Sequence, residues 1–262
     1  MRAFQVFVVV LSTILLAAPQ AASFQINSIP TSRSRIIEDR RLFRAASVSS
    51  DVPSNPTDDV SANDLRAIQV TDVNGRRVTL GSAMSRGPTI LVFLRHLGCT
   101  WCWSYVYQWK LVQKELSDAG IEGPIFVSIG DPDRLKAFLL NNPEISPNNF
   151  FVDGYDFEAY KKAGFGRFDE KPKEITDNVK PKPAELGGIQ GWWTFLTNFM
   201  QLAPVTPDMK FPENLTPEGL FWVGGTIVIK GDDIVYRWND RISGDHPEAR
   251  EIVEIAKKAV NA

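Results

Sequence analysis

Cysteine and histidine are nearly missing from this 262-residue chain, which carries only Cys99, Cys102, His96 and His246. A single Cys-x-x-Cys without a second pair is too few ligands for a closed zinc site in one chain, so zinc or an iron–sulfur cluster is left open only as a bridge between two chains. Covalent haem attachment is excluded, because the residue after the second cysteine is Trp103 rather than histidine. A disulfide closing so short a loop would restrict the unfolded chain little, and a chain with 44% hydrophobic residues can bury a core without such staples. Positive charge is not in excess: 29 Lys and Arg against 31 Asp and Glu give a net charge of -2, and the arginines past the N-terminal region are scattered. Nucleic acid is therefore not an expected partner. Gly164-Phe165-Gly166 follows no strand pattern, so no phosphate-binding loop is indicated.

What is present is concentrated around the two cysteines. They stand in Gly98-Cys99-Thr100-Trp101-Cys102, after the apolar run 89–94 and before a helical pattern in which Cys102, Tyr105, Val106, Trp109, Val112 and Leu116 form one stripe to about residue 119. Cys99 then lies at the helix start, where unpaired N–H groups and the positive end of the helix dipole favour a thiolate. Cys99 is expected to be the nucleophile and Cys102, one turn further in, the thiol that resolves what forms on it.

The N-terminal region reads as targeting sequence. Residues 1–23 carry Arg2, an apolar segment from 4 to about 18 and small residues before Phe24, as a secretory signal peptide does. That segment is shorter than the roughly 20 residues that span a bilayer. Residues 24–63 combine a serine- and arginine-rich, transit-peptide-like stretch with a linker from 51 to 63. Together they resemble the bipartite presequences of algae with complex plastids. A plastid is the expected location, with a secreted or endomembrane-lumen protein as the alternative. Asn214-Leu215-Thr216 is a glycosylation sequon that matters only on a secretory route.

One domain is expected over 64–262. Segments 68–73 and 76–80 around Asn74-Gly75 predict a hairpin with a type I′ turn. Strand 89–94, the cysteine helix, strand 125–129, a helix capped by Asp131-Pro132 and a short strand at 150–152 predict a parallel βαβ core. Residues 166–219 interrupt the alternation as an insertion, in which Trp192, Phe195, Leu196 and Phe199 predict a short helix packed on the domain, with a place beside the cysteines as one expectation. A membrane-surface or dimer contact is the less favoured reading of these aromatics. Strands 226–230 and 234–238 and a helix from about 247 to 260 close the chain, with Asp245 as the expected N-cap and Pro247 in the first turn. The order describes an α/β, thioredoxin-like fold with a central mixed sheet flanked by helices.

The segment Phe93-Leu-Arg-His-Leu-Gly-Cys-Thr-Trp-Cys-Trp-Ser-Tyr-Val106 resembles the active-site region of the peroxiredoxin-like family. That family is related to alkyl hydroperoxide reductase and thiol-specific antioxidant proteins and includes prostamide/prostaglandin F synthase and selenoprotein U. Pro183-Ala-Glu-Leu-Gly-Gly188 with Gly191-Trp-Trp193 is similar to the family's insertion, and Gly224–Ile229 through Asp240–Pro247 to its C-terminal strands and helix start. The resemblance covers about 68–260. It implies a redox dithiol without a bound cofactor that reduces peroxides or a lipid endoperoxide, with electrons from thioredoxin or a similar thiol donor and ultimately NADPH or ferredoxin. Two departures stand out. The Pro-x-x-x-Thr-x-x-Cys pattern of typical peroxiredoxins reads Val92 and His96 here, and where ordinary thioredoxins carry a cis-proline and a buried aspartate the chain has Gly225 and Phe93.

Several neighbours are candidates for the site. Arg95 is placed to lower the thiolate pKa or orient peroxide oxygens and His96 to shuttle a proton, although both are also ordinary loop residues. Trp101 suits an apolar substrate surface, facing solvent or the insertion. Gly225 and Thr226 suit backbone contacts to substrate, the plain reading of Gly225 being backbone geometry alone. The loop at 244–247 is expected to return toward the cysteines. Alternatives to a peroxide- or endoperoxide-reducing enzyme are a general protein thiol–disulfide oxidoreductase and a non-enzymatic redox- or metal-responsive binding module.

Overall fold

The computed structural model describes residues 60–84, 87–202 and 217–261. The chain divides into units 1–53 and 54–262. The signal and transit-like segments up to residue 59 and the sequon at 214–216 lie outside the described residues.

The second unit begins earlier than expected. Ser61 accepts the Asp64 N–H and Asp64 returns the bond, a reciprocal capping box that starts α1 (Ala62–Ala67) inside what reads as linker. The hairpin β1 (Gln69–Thr71) and β2 (Arg77–Thr79) follows, antiparallel as expected. Its turn is not type I′. Only Gly75 has positive φ, and the Asp72 carboxylate gathers the N–H groups of Asn74 (2.8 Å) and Arg76 (2.9 Å). The aspartate's own side chain shapes the loop, a competitor that the Asn-Gly signal does not reveal.

The parallel core then builds in sequence order: β3 (Thr89–His96), α2 (Thr100–Asp118), β4 (Glu122–Ile129), α3 (Pro132–Leu140) and β5 (Phe150–Asp153). Asp131 caps α3 by accepting the Arg134 N–H, with Pro132 in the first turn, as read from the sequence. A short helix α4 (Glu158–Lys162) starts under Asp153, whose carboxylate accepts from Ala159 at 2.8 Å. The insertion supplies α5 (Lys173–Thr176) and α6 (Gly188–Leu202). It is followed by the antiparallel strands β6 (Gly225–Lys230) and β7 (Asp233–Asn239) and by α7 (Ala249–Asn261).

These strands form one seven-stranded mixed sheet, ordered β2-β1-β5-β4-β3-β6-β7. β3 lies in its interior beside the middle strand β4, parallel to β4 and antiparallel to β6. Ile90, Val92 and Leu94 point to the face covered by α2, α3 and α7, while Leu91 and Phe93 point to the face shared with Tyr160, Phe165 and Trp222. Burial on both faces explains why β3 reads as a continuous apolar run. The thioredoxin-like arrangement expected from element order is present, with the cysteine loop at the C-terminal end of β3.

Two packing expectations change. Among the described side chains of α6, Phe195 and Leu202 turn inward, Phe195 against Trp103 with ring centroids 5.4 Å apart. Ile189 (91% exposed), Trp193 (60%) and Leu196 (59%) face out, so of the expected stripe Phe195 packs inward while Leu196 does not. The last helix begins at Ala249, and Asp245 does not cap it. Its carboxylate instead takes Arg241 through the backbone N–H and the guanidinium, a bidentate pairing that outcompetes the cap. Among the described residues no helix is long and apolar enough to cross a membrane.

Candidate active site

Strand β3 delivers the chain to a tight loop in which Cys99 N–H bonds the His96 carbonyl (2.9 Å) and Cys99 C=O receives the Trp103 N–H (3.1 Å). Cys99 is thereby the N-cap residue of α2, and its sulfur makes no capping bond. Cys102 sits one turn further along. The two cysteines approach within 3.2 Å and are free thiols. Both are buried, at 4% and 2% exposure.

Their surroundings are unequal. Cys102 thiol hydrogen-bonds the Cys99 sulfur, which favours a Cys99 thiolate. Burial opposes that charge, but the guanidinium of Arg95 restores the balance, so the Cys99 pKa lies well below its ordinary value. Arg95 Nη1 is 3.6 Å from Cys99 Sγ and donates to Ser243 Oγ at 2.7 Å, while Nη2 donates to the Leu220 carbonyl. Ser243 Oγ in turn lies 3.9 Å from Cys99 Sγ. Cys102 has the opposite fate. Burial, and then the neighbouring Cys99 charge, push its pKa well above the ordinary value, although its sulfur accepts the Arg95 backbone N–H at 3.3 Å. One thiolate and one thiol is the arrangement a dithiol needs for attack followed by resolution.

Arg95 is itself fixed from both sides. Its carbonyl accepts from Ser128 Oγ at 3.2 Å, and Tyr160 hydroxyl donates to the preceding Leu94 carbonyl. Arg95→Met should therefore raise the pH of half-maximal Cys99 alkylation by about one unit or more, since a cation at this distance lowers a thiol pKa by about that much. Iodoacetamide kinetics resolved by peptide mass spectrometry across pH measure it, and an unchanged midpoint would remove Arg95 from the site.

The other expected residues fall into two groups. His96 is beside Cys99, but burial drives its pKa down to about 4, with the thiolate opposing and Arg95 adding, so it is neutral at neutral pH. Trp101 faces the insertion, its indole N–H donating to the Lys182 carbonyl at 3.1 Å. Its ring lies where a side chain at Gly244 would begin, the ideal Cβ falling 2.6 Å from Trp101 Cδ1. The 244–247 loop does return to the cysteines. Gly225 and Thr226 turn elsewhere: a Cβ on Gly225 would meet the Trp238 carbonyl at 2.0 Å, and the buried Thr226 hydroxyl pairs with Tyr105 at 2.8 Å. On the side-chain side both positions are taken up by packing, Gly225 against β7 and Thr226 against α2.

Ser243, the Leu220 carbonyl, Ser128 and Tyr160 escaped the sequence reading. Ser243 alone had a signal, as a small polar residue inside the 240–247 segment. The rest are ordinary residues brought in by topology. Among the described residues no three His, Cys, Asp or Glu side chains cluster as a metal site.

No family model matches the chain. It is 22% identical over 189 residues to Peroxiredoxin-like 2C of Mus musculus, covering 72% of this chain and 76% of that protein. Among solved structures it is similar to the Peroxidoxin BcpB from Mycobacterium tuberculosis, with TM-score 0.44 and 13% identity over 74% of this chain and 94% of that one. It is also similar to a SCO1/SenC family lipoprotein from Bacillus anthracis str. Ames, with TM-score 0.40 and 16% identity over 76% and 96%.

Proposed function

We propose that this chain is a thiol oxidoreductase that reduces hydroperoxides or endoperoxides through a Cys99/Cys102 dithiol–disulfide cycle, recharged by a thioredoxin-type donor. The observation that carries the proposal is the placement of two free sulfurs 3.2 Å apart, the first at the head of α2 with Arg95 Nη1 3.6 Å from it, and the electrostatic directions at the two sulfurs agree with it. The similarity to a peroxiredoxin-like protein supports the same chemistry.

With an endoperoxide both oxygens stay on one molecule, so Cys99 forms a sulfenate ester from which Cys102 displaces a diol; with a hydroperoxide, Cys99 thiolate attacks the outer oxygen of the O–O bond. An S–O bond forms, the O–O bond breaks, and the departing oxygen takes a proton and leaves as alcohol or water. Cys99 is then a sulfenic acid. Cys102 attacks that sulfur, the S–S bond forms, and the hydroxyl leaves as water with the Cys102 proton. Arg95 Nη1 and Ser243 Oγ stand beside Cys99, where they orient the peroxide and steady the charge as it moves to oxygen. This takes the place of the Pro and Thr pattern absent at Val92 and His96. The donor dithiol then exchanges with the disulfide and carries both electrons back.

Delivery to a plastid, expected from residues 1–63, belongs to the same proposal, with the donor supplied from NADPH or ferredoxin. The test is NADPH consumption by thioredoxin, thioredoxin reductase and the protein across hydrogen peroxide, alkyl hydroperoxides and a lipid endoperoxide. Protein-dependent turnover of at least one is expected. Turnover of insulin disulfide with none of the peroxides would replace this reading by a general disulfide oxidoreductase.

A further inference from the structure

The cycle leaves one buried charged pair unused. Asp240, directly after β7, is 1% exposed, and its Oδ2 lies 2.7 Å from Nδ1 of His246, whose side chain is 7% exposed. The pair is held by charge rather than by an aligned hydrogen bond, and its far atoms, Asp240 Oδ1 and His246 Nε2, are shut away from solvent with no partner at all. A buried polar group left so is costly, and its retention calls for a use.

Position suggests the use. The imidazole lies flat on the ring of Tyr105, with centroids 4.5 Å apart and planes 5° from parallel. Tyr105 stands on α2 three residues after Cys102, and its hydroxyl is pinned by Thr226 at 2.8 Å. Three residues before His246, Ser243 reaches Cys99. Asp240 is held by its backbone, its N–H on the Gly224 carbonyl (3.0 Å) and its own carbonyl on Lys171 Nζ (2.7 Å). The pair is thus fixed between the two segments that frame the dithiol.

We infer that His246, oriented by Asp240, carries a proton whose affinity follows the charge on Cys99, and that this proton is the second one the reaction consumes. The inference rests on the peroxide-reducing reading. Reducing ROOH to ROH and water takes two electrons and two protons, and the reduced dithiol, one thiolate and one thiol, brings both electrons but only one proton. With His246 the balance closes: Cys99 thiolate, Cys102 thiol, His246 imidazolium and ROOH give the disulfide, neutral His246, ROH and water. Charge is zero on both sides. Asp240 is a positioning residue whose carboxylate, 2.7 Å from Nδ1, holds the charged imidazole where Tyr105 stacks on it.

The electrostatics agree with that placement. Burial alone would neutralise His246, but Asp240, then the Cys99 charge and Asp245, hold its pKa above the ordinary value. Asp240 is raised by burial and by Asp245, against the lowering pull of His246 and Lys171. Tyr105 from α2, Tyr160 from α4 and Tyr236 from β7 also face the pair, and burial keeps all three neutral. Arg241 is engaged by Asp245. When Cys99 becomes part of a disulfide its charge disappears, and one of the supports for the imidazolium goes with it.

The chain's two histidines make this measurable by nuclear magnetic resonance of the full chain labelled with nitrogen-15 at histidine, with His246→Gln identifying the signal. The His246 pKa should be about one pH unit higher in the reduced protein than in the disulfide form, a tenfold change in proton affinity. Cys99→Ser, which has no thiolate, should titrate like the disulfide form, and Asp240→Asn should lower the value in every state. Equal pKa values in the reduced and disulfide forms, or Cys99→Ser titrating like the reduced wild type, would overturn the inference. The disulfide is made with diamide rather than a peroxide, so failure of peroxide turnover and failure of this coupling are seen separately.

Discussion

Cys99→Ser is expected to lower thioredoxin-coupled peroxide turnover by on the order of 10³-fold or more, to the level without protein. A serine hydroxyl at the head of α2 has no accessible alkoxide, so neither the helix N-terminus nor Arg95 has a charge to stabilise. Cys102→Ser should fail differently. Its Cys99 still ionises under Arg95, so one equivalent of peroxide should be consumed, leaving a sulfenic acid that a dimedone-type probe traps. Steady turnover should then stop. The neighbouring thiol's hydrogen bond is the largest support for the Cys99 thiolate, so this single event should also be slower than in the wild type, with a serine hydroxyl recovering part of the loss. Equal effects of the two substitutions on the first equivalent of peroxide would contradict the division of roles. Wild-type rates in both would end the enzymatic reading.

The second large effect concerns the scaffold. A Cβ on Gly224 would lie 1.9 Å from the Phe93 carbonyl oxygen and 2.9 Å from Phe93 Cβ. Those are atoms of β3, and they cannot swing aside as a surface side chain would. Gly224→Ala must therefore push β6 away from β3 at Phe93–Gly225, two residues before Arg95. The displaced stretch also holds Asp240, through its bond to the Gly224 carbonyl. A loss of about 4 kcal/mol or more is expected, the scale reached when backbone geometry is violated in a core. Urea unfolding measures it as a fall in midpoint with little change in slope. A loss under about 1 kcal/mol would show that β6 can shift freely and that its tight seat on β3 does not set the site.

The framework was legible because local signals agreed with one another. The run from Ile90 to Leu94, the 3–4 spacing from Cys102 to Leu116 and the Asp131-Pro132 cap each depend on neighbours in sequence, and each appears where expected. The cysteine pair showed its chemistry for the same reason, since being at a helix N-terminus is a local property. What stayed hidden is set by contacts between distant segments. Ser243 meets Cys99 across 144 positions, and the Leu220 carbonyl meets Arg95 across 125. Periodicity carries no trace of such pairings. The misread turns have one cause: carboxylates of Asp72 and Asp245 choose partners that propensity does not rank, the backbone of a loop in the first case and Arg241 in the second. His246 shows the limit from the other side. A lone histidine before a helix reads as a cap neighbour, and only the stacked Tyr105 and buried Asp240 give it a charge to manage.

Attack by one sulfur and resolution by the other require that the two be unequally protonated. Residue-resolved alkylation of the reduced wild-type chain with iodoacetamide, followed from pH 4 to pH 10 by peptide mass spectrometry, measures that inequality directly. Cys99 should react with a half-maximum well below the ordinary thiol range, while Cys102 stays unmodified through neutral pH and reacts only above that range. Two cysteines that titrate together near pH 9, or a Cys102 that reacts first, would contradict it.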